Sequence, residues 1–110
     1  MKQDSEVKNQ VKKILGAVKK FSPGKSVELR IPPYAAIQCV AGITHRRGTP
    51  PNVVEMSAET LIKLLENPSQ WHKFCDLGLI SASGTNSNLT LLFLEVSKLI
   101  NSEVGSEYGK

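Results

Sequence analysis

Val7, Val11, Ile14, Leu15, Val18 and Phe21 recur three and four residues apart, with Lys8, Lys12, Lys13, Lys19 and Lys20 on the remaining arc. That period predicts an amphipathic first helix whose apolar stripe packs on a core. Ser22-Pro23-Gly24-Lys25 breaks the helix, and Val27, Leu29 and Ile31 then alternate with Glu28 and Arg30. Period-two alternation of this kind predicts a strand with one wet face. Pro32-Pro33 ends it. Residues 34–41 are apolar apart from Gln38, which predicts a central strand buried on both faces, closed by Gly42.

Residues 44–52 contain Gly48 and Pro50-Pro51 and predict a loop stiffened by proline, leading into a strand over 53–56. Ser57 is placed to cap a helix at 58–66, which sends Leu61, Leu64 and Leu65 to the core and sets Glu59 near the positive helix end. Asn67-Pro68 separates it from a second helix over 70–77, with Ser69 as its expected cap and Gly78 as its left-handed stop. Residues 79–83 read as a short strand and 84–88 as a turn. A last helix over 89–100 carries Leu92, Val96 and Leu99 at core spacing, with Leu91, Phe93 and Leu94 widening the apolar arc. The polar stretch from Asn101 onward is expected to fray.

The length, 110 residues with 40% hydrophobic residues, suits one domain over 1–110 with flexible ends at 1–5 and 102–110. Residues 1–10 are polar and charged where a signal peptide needs an apolar segment, so a cytoplasmic location is expected. The net charge of +4 comes with interspersed acidic residues and few aromatics. Without stacking side chains or a groove-reading motif, this balance argues against a nucleic-acid partner. The lysines of the first helix read as a wet face rather than a membrane anchor, because no Trp or Phe lies within the apolar stripe. That leaves room for transient membrane contact only.

Catalytic signatures are absent: there is no G-x-S-x-G, H-E-x-x-H, phosphate loop, C-x-x-C or dinucleotide fingerprint. No enzyme activity and no cofactor are expected. His72 and Cys75, three residues apart on a helix, with Cys39 and His45 elsewhere, form at most an incomplete zinc set, and Cys75 falls on the apolar side. Cys39 and Cys75 instead read as free thiols in apolar segments. Arg46 and Arg47, beside His45, could hold a carboxylate or phosphate through forked guanidinium bonds, or belong to a solvated turn.

Small residues at Ala35, Ala36, Ala41, Ser81, Ala82 and Ser83 put little volume on the sheet, opposite the large side chains of the last helix. A gap between them is one reading; closer helix packing is the other. An unoccupied cavity of about 300 Å³ would cost around 7 kcal/mol, comparable with a whole domain's stability of about 5–15 kcal/mol, so such a space is either collapsed or occupied.

The chain resembles the bacterial branch of the sterol carrier protein family, the small actinobacterial orthologues in particular, from residue 27 to about residue 99. The resemblance rests on the runs 27–40 (VELRIPPYAAIQCV) and 47–55 (RGTPPNVVE), Trp71, Gly78 and the run 81–84 (SASG). Arg46 and Asn67 depart from the family pattern, which has Thr and Gly there. The resemblance implies an α+β fold like sterol carrier protein 2, a mostly antiparallel five-stranded sheet packed against helices, and binding or carrying of a lipid with no reaction. The ligand site then falls to Ile37, Val53, Phe74, Leu91, Leu92, Phe93 and Val96, with Arg46 and Arg47 at its polar end. The alternatives are a protein-interaction module with a closed core and a basic Pro-rich contact loop, and an accessory role for an enzyme.

Overall fold

The computed structural model describes residues 4–43 and 50–108, with side chains through residue 102. Its elements are α1 (Ser5–Phe21), β1 (Val27–Ile31), β2 (Ala35–Cys39), β3 (Asn52–Met56), α2 (Ala58–Glu66), α3 (Trp71–Asp76), β4 (Ile80–Ser83) and α4 (Thr90–Tyr108). The four described strands lie in the order β2-β1-β3-β4. β1 pairs antiparallel with β2 and parallel with β3, and β3 pairs antiparallel with β4. The fold is α+β, compatible with the sterol-carrier-protein-2 type, with four described strands where five were expected.

Register sorts the side chains into two faces. Val27 stands opposite Cys39, Leu29 opposite Ile37 and Val54, and Met56 opposite Ile80. These rows turn toward the helices, and Val27, Leu29, Val54 and Cys39 are fully buried. Burying each large aliphatic side chain contributes about 1.5–3 kcal/mol. The opposite face carries Glu28, Arg30, Ala36, Gln38, Val53 and Glu55. There Arg30 bridges Glu28 at 3.1 Å and Glu55 at 3.9 Å, an exposed charge ladder on the wet side of the sheet.

Helix caps explain most of the boundaries. Asp4 accepts the N–H groups of Glu6 and Val7 and starts α1. Its Val11, Ile14, Leu15 and Val18 are buried, as their period requires. Phe21, read as the end of that stripe, is instead 49% exposed. Ser57 caps α2 through the N–H of Thr60 at 3.1 Å. The expected cap at Ser69 is corrected: Asn67 accepts the N–H of Ser69 at the start of a 3-10 turn over Pro68–Gln70 that leads into α3. Proline is preorganised for the first position of such a turn, so the start moves two residues earlier. Gly78, at φ +76°, ends the segment in the left-handed region.

Two further expectations change. Residues 34–41 do not make the central strand: β2 is an edge of the described sheet, with Ala36 and Gln38 exposed, and β1 is flanked on both sides. Alanine is apolar enough to look buried in a sequence yet small enough to sit in water at little cost, which is why the run misleads. α4 runs on to Tyr108 rather than ending near Ile100, since no proline or strong breaker stands at Asn101. Trp71 at the start of α3 stacks on Phe93 of α4, with ring centroids 6.3 Å apart and planes at 27°. This pair ties the α2–α3 segment to the last helix.

Candidate functional site

The C-terminal end of α1, the exit of β2 and the first turn of α4 converge on a solvent-open groove of about 500 Å³. Its apolar wall is built from Phe21, Val40, Ala41, Leu89, Leu91 and Leu92. The rim is polar, with Thr85, Asn86, Asn88 and Glu95. Apolar walls with a few placed polar groups are the usual make-up of a small-molecule site, whose volumes run about 300–1,000 Å³.

Local backbone bonds hold these parts together. The N–H of Val40 donates to the Ser22 carbonyl at 2.8 Å, and the N–H of Ser26 donates to the Val40 carbonyl at 3.0 Å. These bonds clamp the β2 exit to the α1–β1 connection. Val40 itself has φ +65°, a region that β-branched residues avoid.

Behind the polar rim, Asn52 is buried at the start of β3 and joins two segments. Its Nδ2 donates to the Ser26 carbonyl at 2.8 Å, and its Oδ1 accepts the N–H of Asn86 at 3.0 Å. Gly84 lets the turn lie this close: at φ +104°, a Cβ there would run into the Asn52 carboxamide oxygen and the Pro51 carbonyl. Asn88 then accepts both the N–H of Thr90, at 3.0 Å, and its hydroxyl, at 2.6 Å, as α4 begins.

A second groove, of about 400 Å³, runs between α1 and α4 over Gly16, Ala17, Leu99 and Ile100, with Lys13 and Lys20 beside it. Phe21 lines both grooves, so the two meet at its ring.

Of the residues expected to contact ligand, Leu91 and Leu92 line the first groove. Phe93 and Val96 are fully buried in the core, and Phe74 is buried on α3. Ile37 is half-buried on the helix-facing side of β2, while Val53 shares the opposite face with Glu28. Arg46 and Arg47, with His45, lie outside the described residues.

The expected gap between small strand residues and α4 takes a different form. Ala36, Ser81, Ala82 and Ser83 are exposed, and of the six small residues only Ala41 joins the first groove. Strand alternation carries Ala36, Ser81 and Ser83 to the wet face. Sequence reasoning missed Phe21, Val40, Leu89 and the polar rim. The Gly-containing polar turn just ahead of an apolar helix was the one available signal for that rim.

The thiols stand apart from the groove walls. Cys39 is buried on β2, and burial pushes its pKa up to about 11. Cys75 is half-buried, and burial, then the negative charge of Asp76, raises its pKa. Among the described residues no group of three or more His, Cys, Asp or Glu side chains could hold a metal ion. No helix among them is long and apolar enough to cross a membrane.

Comparison with known families matches residues 3–94 to the family described as bacterial SCP ortholog, the sterol carrier protein type. The chain belongs to this family. A search of curated proteins finds no match. The family match spans α1, the whole described sheet and the first turns of α4. It therefore includes the apolar wall of the first groove and stops short of Glu95 on its rim and of Leu99 and Ile100 in the second.

Proposed function

We propose that this sterol-carrier-family domain binds and carries an elongated apolar molecule, an acyl chain or another lipid, without converting it. The observation that carries the reading is the groove in which Phe21, Val40, Leu91 and Leu92 present apolar surface beneath a polar rim that includes Asn86, Asn88 and Glu95. Family membership supports a carrier role of the same general kind.

Binding through this groove needs no reaction. Each methylene taken from water contributes about 0.8 kcal/mol, so a long acyl chain supplies roughly 10 kcal/mol gross before the costs of association. The amides at the rim offer hydrogen bonds to a polar head. Arg46 and Arg47 are proposed to favour a head that is a carboxylate or phosphate.

Organic extraction and native mass spectrometry of gently purified protein test the proposal. A co-purifying lipid, or saturable uptake of an added acyl probe, is the expected result.

A second reading has one observation in its favour: Phe93 and Val96, expected to face ligand, are wholly buried. A filled interior suits an interaction module with a closed core. That reading predicts a lipid-free protein that ignores acyl probes.

A further inference from the structure

The outer edge of β4 is open. Among the described residues its one neighbouring strand is β3, and Ser81, Ala82 and Ser83 are exposed. Backbone N–H and C=O groups on the free side of such a strand are a template for another strand, and proteins ordinarily guard them with lysine, proline or a bulge. β4 carries none of these: it reads Ile80-Ser81-Ala82-Ser83, and its pairing with β3 runs unbroken from Ile80 to Ser83. Its safeguard is its length, four residues.

A second observation concerns what stands beside the edge. Leu77 and Leu79, on either side of Gly78, are 61% and 45% exposed where the chain enters β4. Leu79 lines a pocket of about 280 Å³ with Pro32 and Met56 that reaches Ser81. Charge is missing from this part of the chain, since residues 77–94 hold no Asp, Glu, Lys or Arg, and no other run of the sequence is as long without one. Other segments bring charges that offset one another: Glu55, opposite Ser81 and bridged by Arg30 at 3.9 Å, and Lys73 and Asp76 on α3, which packs beside β4.

We infer that β4 is a self-association edge, through which two copies of this chain pair their β4 strands antiparallel about a two-fold axis beside Ser81. An antiparallel edge is complementary to itself, because the axis sets the donors of one strand against the acceptors of its twin. At a net charge of +4 two copies repel, and the repulsion is least where the surface between them is uncharged. Pairing centred on Ser81 sets Leu79 of one copy opposite Ser83 of the other, and brings Leu77 toward Thr85 of the second copy. Thr85 belongs to the rim of the first groove, so each copy sits beside the other's rim. The pairing involves no ligand and stands apart from the carrier reading.

Four paired residues and two leucines a side bury less than the roughly 1,200–2,000 Å² of a stable complex, so the dimer is weak. Sedimentation at graded concentration tests it. The mass is expected to rise from one chain at about 10 μM toward two at about 1 mM. Added salt should strengthen the association by screening the net charge, the reverse of an interface held by ion pairs.

Ser81→Lys sets like charges opposite each other on the axis and should weaken association at least about tenfold. The residue is exposed and faces Glu55 within its own sheet, so this variant should keep the wild-type unfolding midpoint. Mixing it with an equal amount of Ser81→Glu should restore association, because each lysine then meets a carboxylate. Amide hydrogen exchange should slow within residues 80–83 at the higher concentration.

A single-chain mass at about 1 mM would overturn the inference, as would a Ser81→Lys variant that associates like wild type or a mixture that associates no better than Ser81→Lys alone. A dimer whose slowed amides lie on the helices would place the contact elsewhere and overturn it too. A wild type that stays a single chain yet pairs through residues 80–83 with an added synthetic strand peptide would assign the edge to a foreign strand, with the same result.

Discussion

The carboxamide of Asn52 joins two distant segments, donating to the Ser26 carbonyl at 2.8 Å and accepting the N–H of Asn86 at 3.0 Å. One buried side chain thus fixes the start of β3 to the residue before β1 and to the turn that forms the groove rim. Asn52→Ala removes both bonds, while the Ser26 carbonyl keeps the backbone N–H of residue 52 at 3.3 Å and Asn86 stays open to water. At about 0.5–1.5 kcal/mol net for each of the two bonds lost, the variant should lose about 1–3 kcal/mol in urea unfolding. A loss below about 0.5 kcal/mol, the range of ordinary surface changes, would deny the role.

Gly84 guards the same contact. Gly84→Ala puts a Cβ against Asn52 and Pro51 in a left-handed backbone, and should cost about 1–3 kcal/mol. Because the strain falls on the rim, acyl-probe affinity should fall along with the unfolding midpoint. Stability at the wild-type level would show that the turn does not sit as described.

Ile14 belongs to the buried stripe of α1. Ile14→Asp places an unpaired carboxylate in that face and should destabilise the domain by several kcal/mol in thermal or urea unfolding. The neighbouring Lys13→Gln, on the exposed flank, should change little. Equal effects from the two would mean that α1 does not pack on the core through this stripe.

Burial of Cys39 predicts its chemistry. Its thiol has a pKa raised to about 11 from an ordinary 9.0, so the folded state keeps its proton where the unfolded state has already lost it. The unfolded chain then binds fewer protons, and the contribution of this group to stability, complete below pH 9, declines as pH rises from 9 toward 11. In alkylation at about pH 8, half-buried Cys75 should react first and Cys39 only on unfolding. Faster labelling of Cys39 would contradict its place in the core.

Much of the fold was legible because its punctuation is local. Ser57, Gly78 and the alternation of Val27, Leu29 and Ile31 each act within a few residues, and each falls where the structure needs it. What stayed hidden depends on distant partners. Leu91, Leu94 and Leu99 look like core on a helix that is apolar at seven of the ten positions 91–100, yet one packed side can bury only part of such an arc. The surplus went to the surface, as Phe21 did. The groove follows the same logic: its walls come from α1, β2 and α4, and no local spacing links Phe21 to Val40 or Leu89. Leu91 and Leu92 were found because a ligand site was expected along α4; Phe93 and Val96, on the same helix, turn into the core.

The claim that the first groove holds an apolar ligand is tested most directly by titrating a fluorescent acyl probe into the wild-type protein and into Ala41→Trp. Ala41 is exposed and lines the groove, so an indole there fills the space without entering the core. The account predicts saturable one-to-one binding to wild type, an affinity at least about tenfold weaker in the variant, and an unchanged unfolding midpoint, since surface changes stay within about 0.5 kcal/mol. No saturable binding to wild type, or equal affinity in the two proteins, would contradict it.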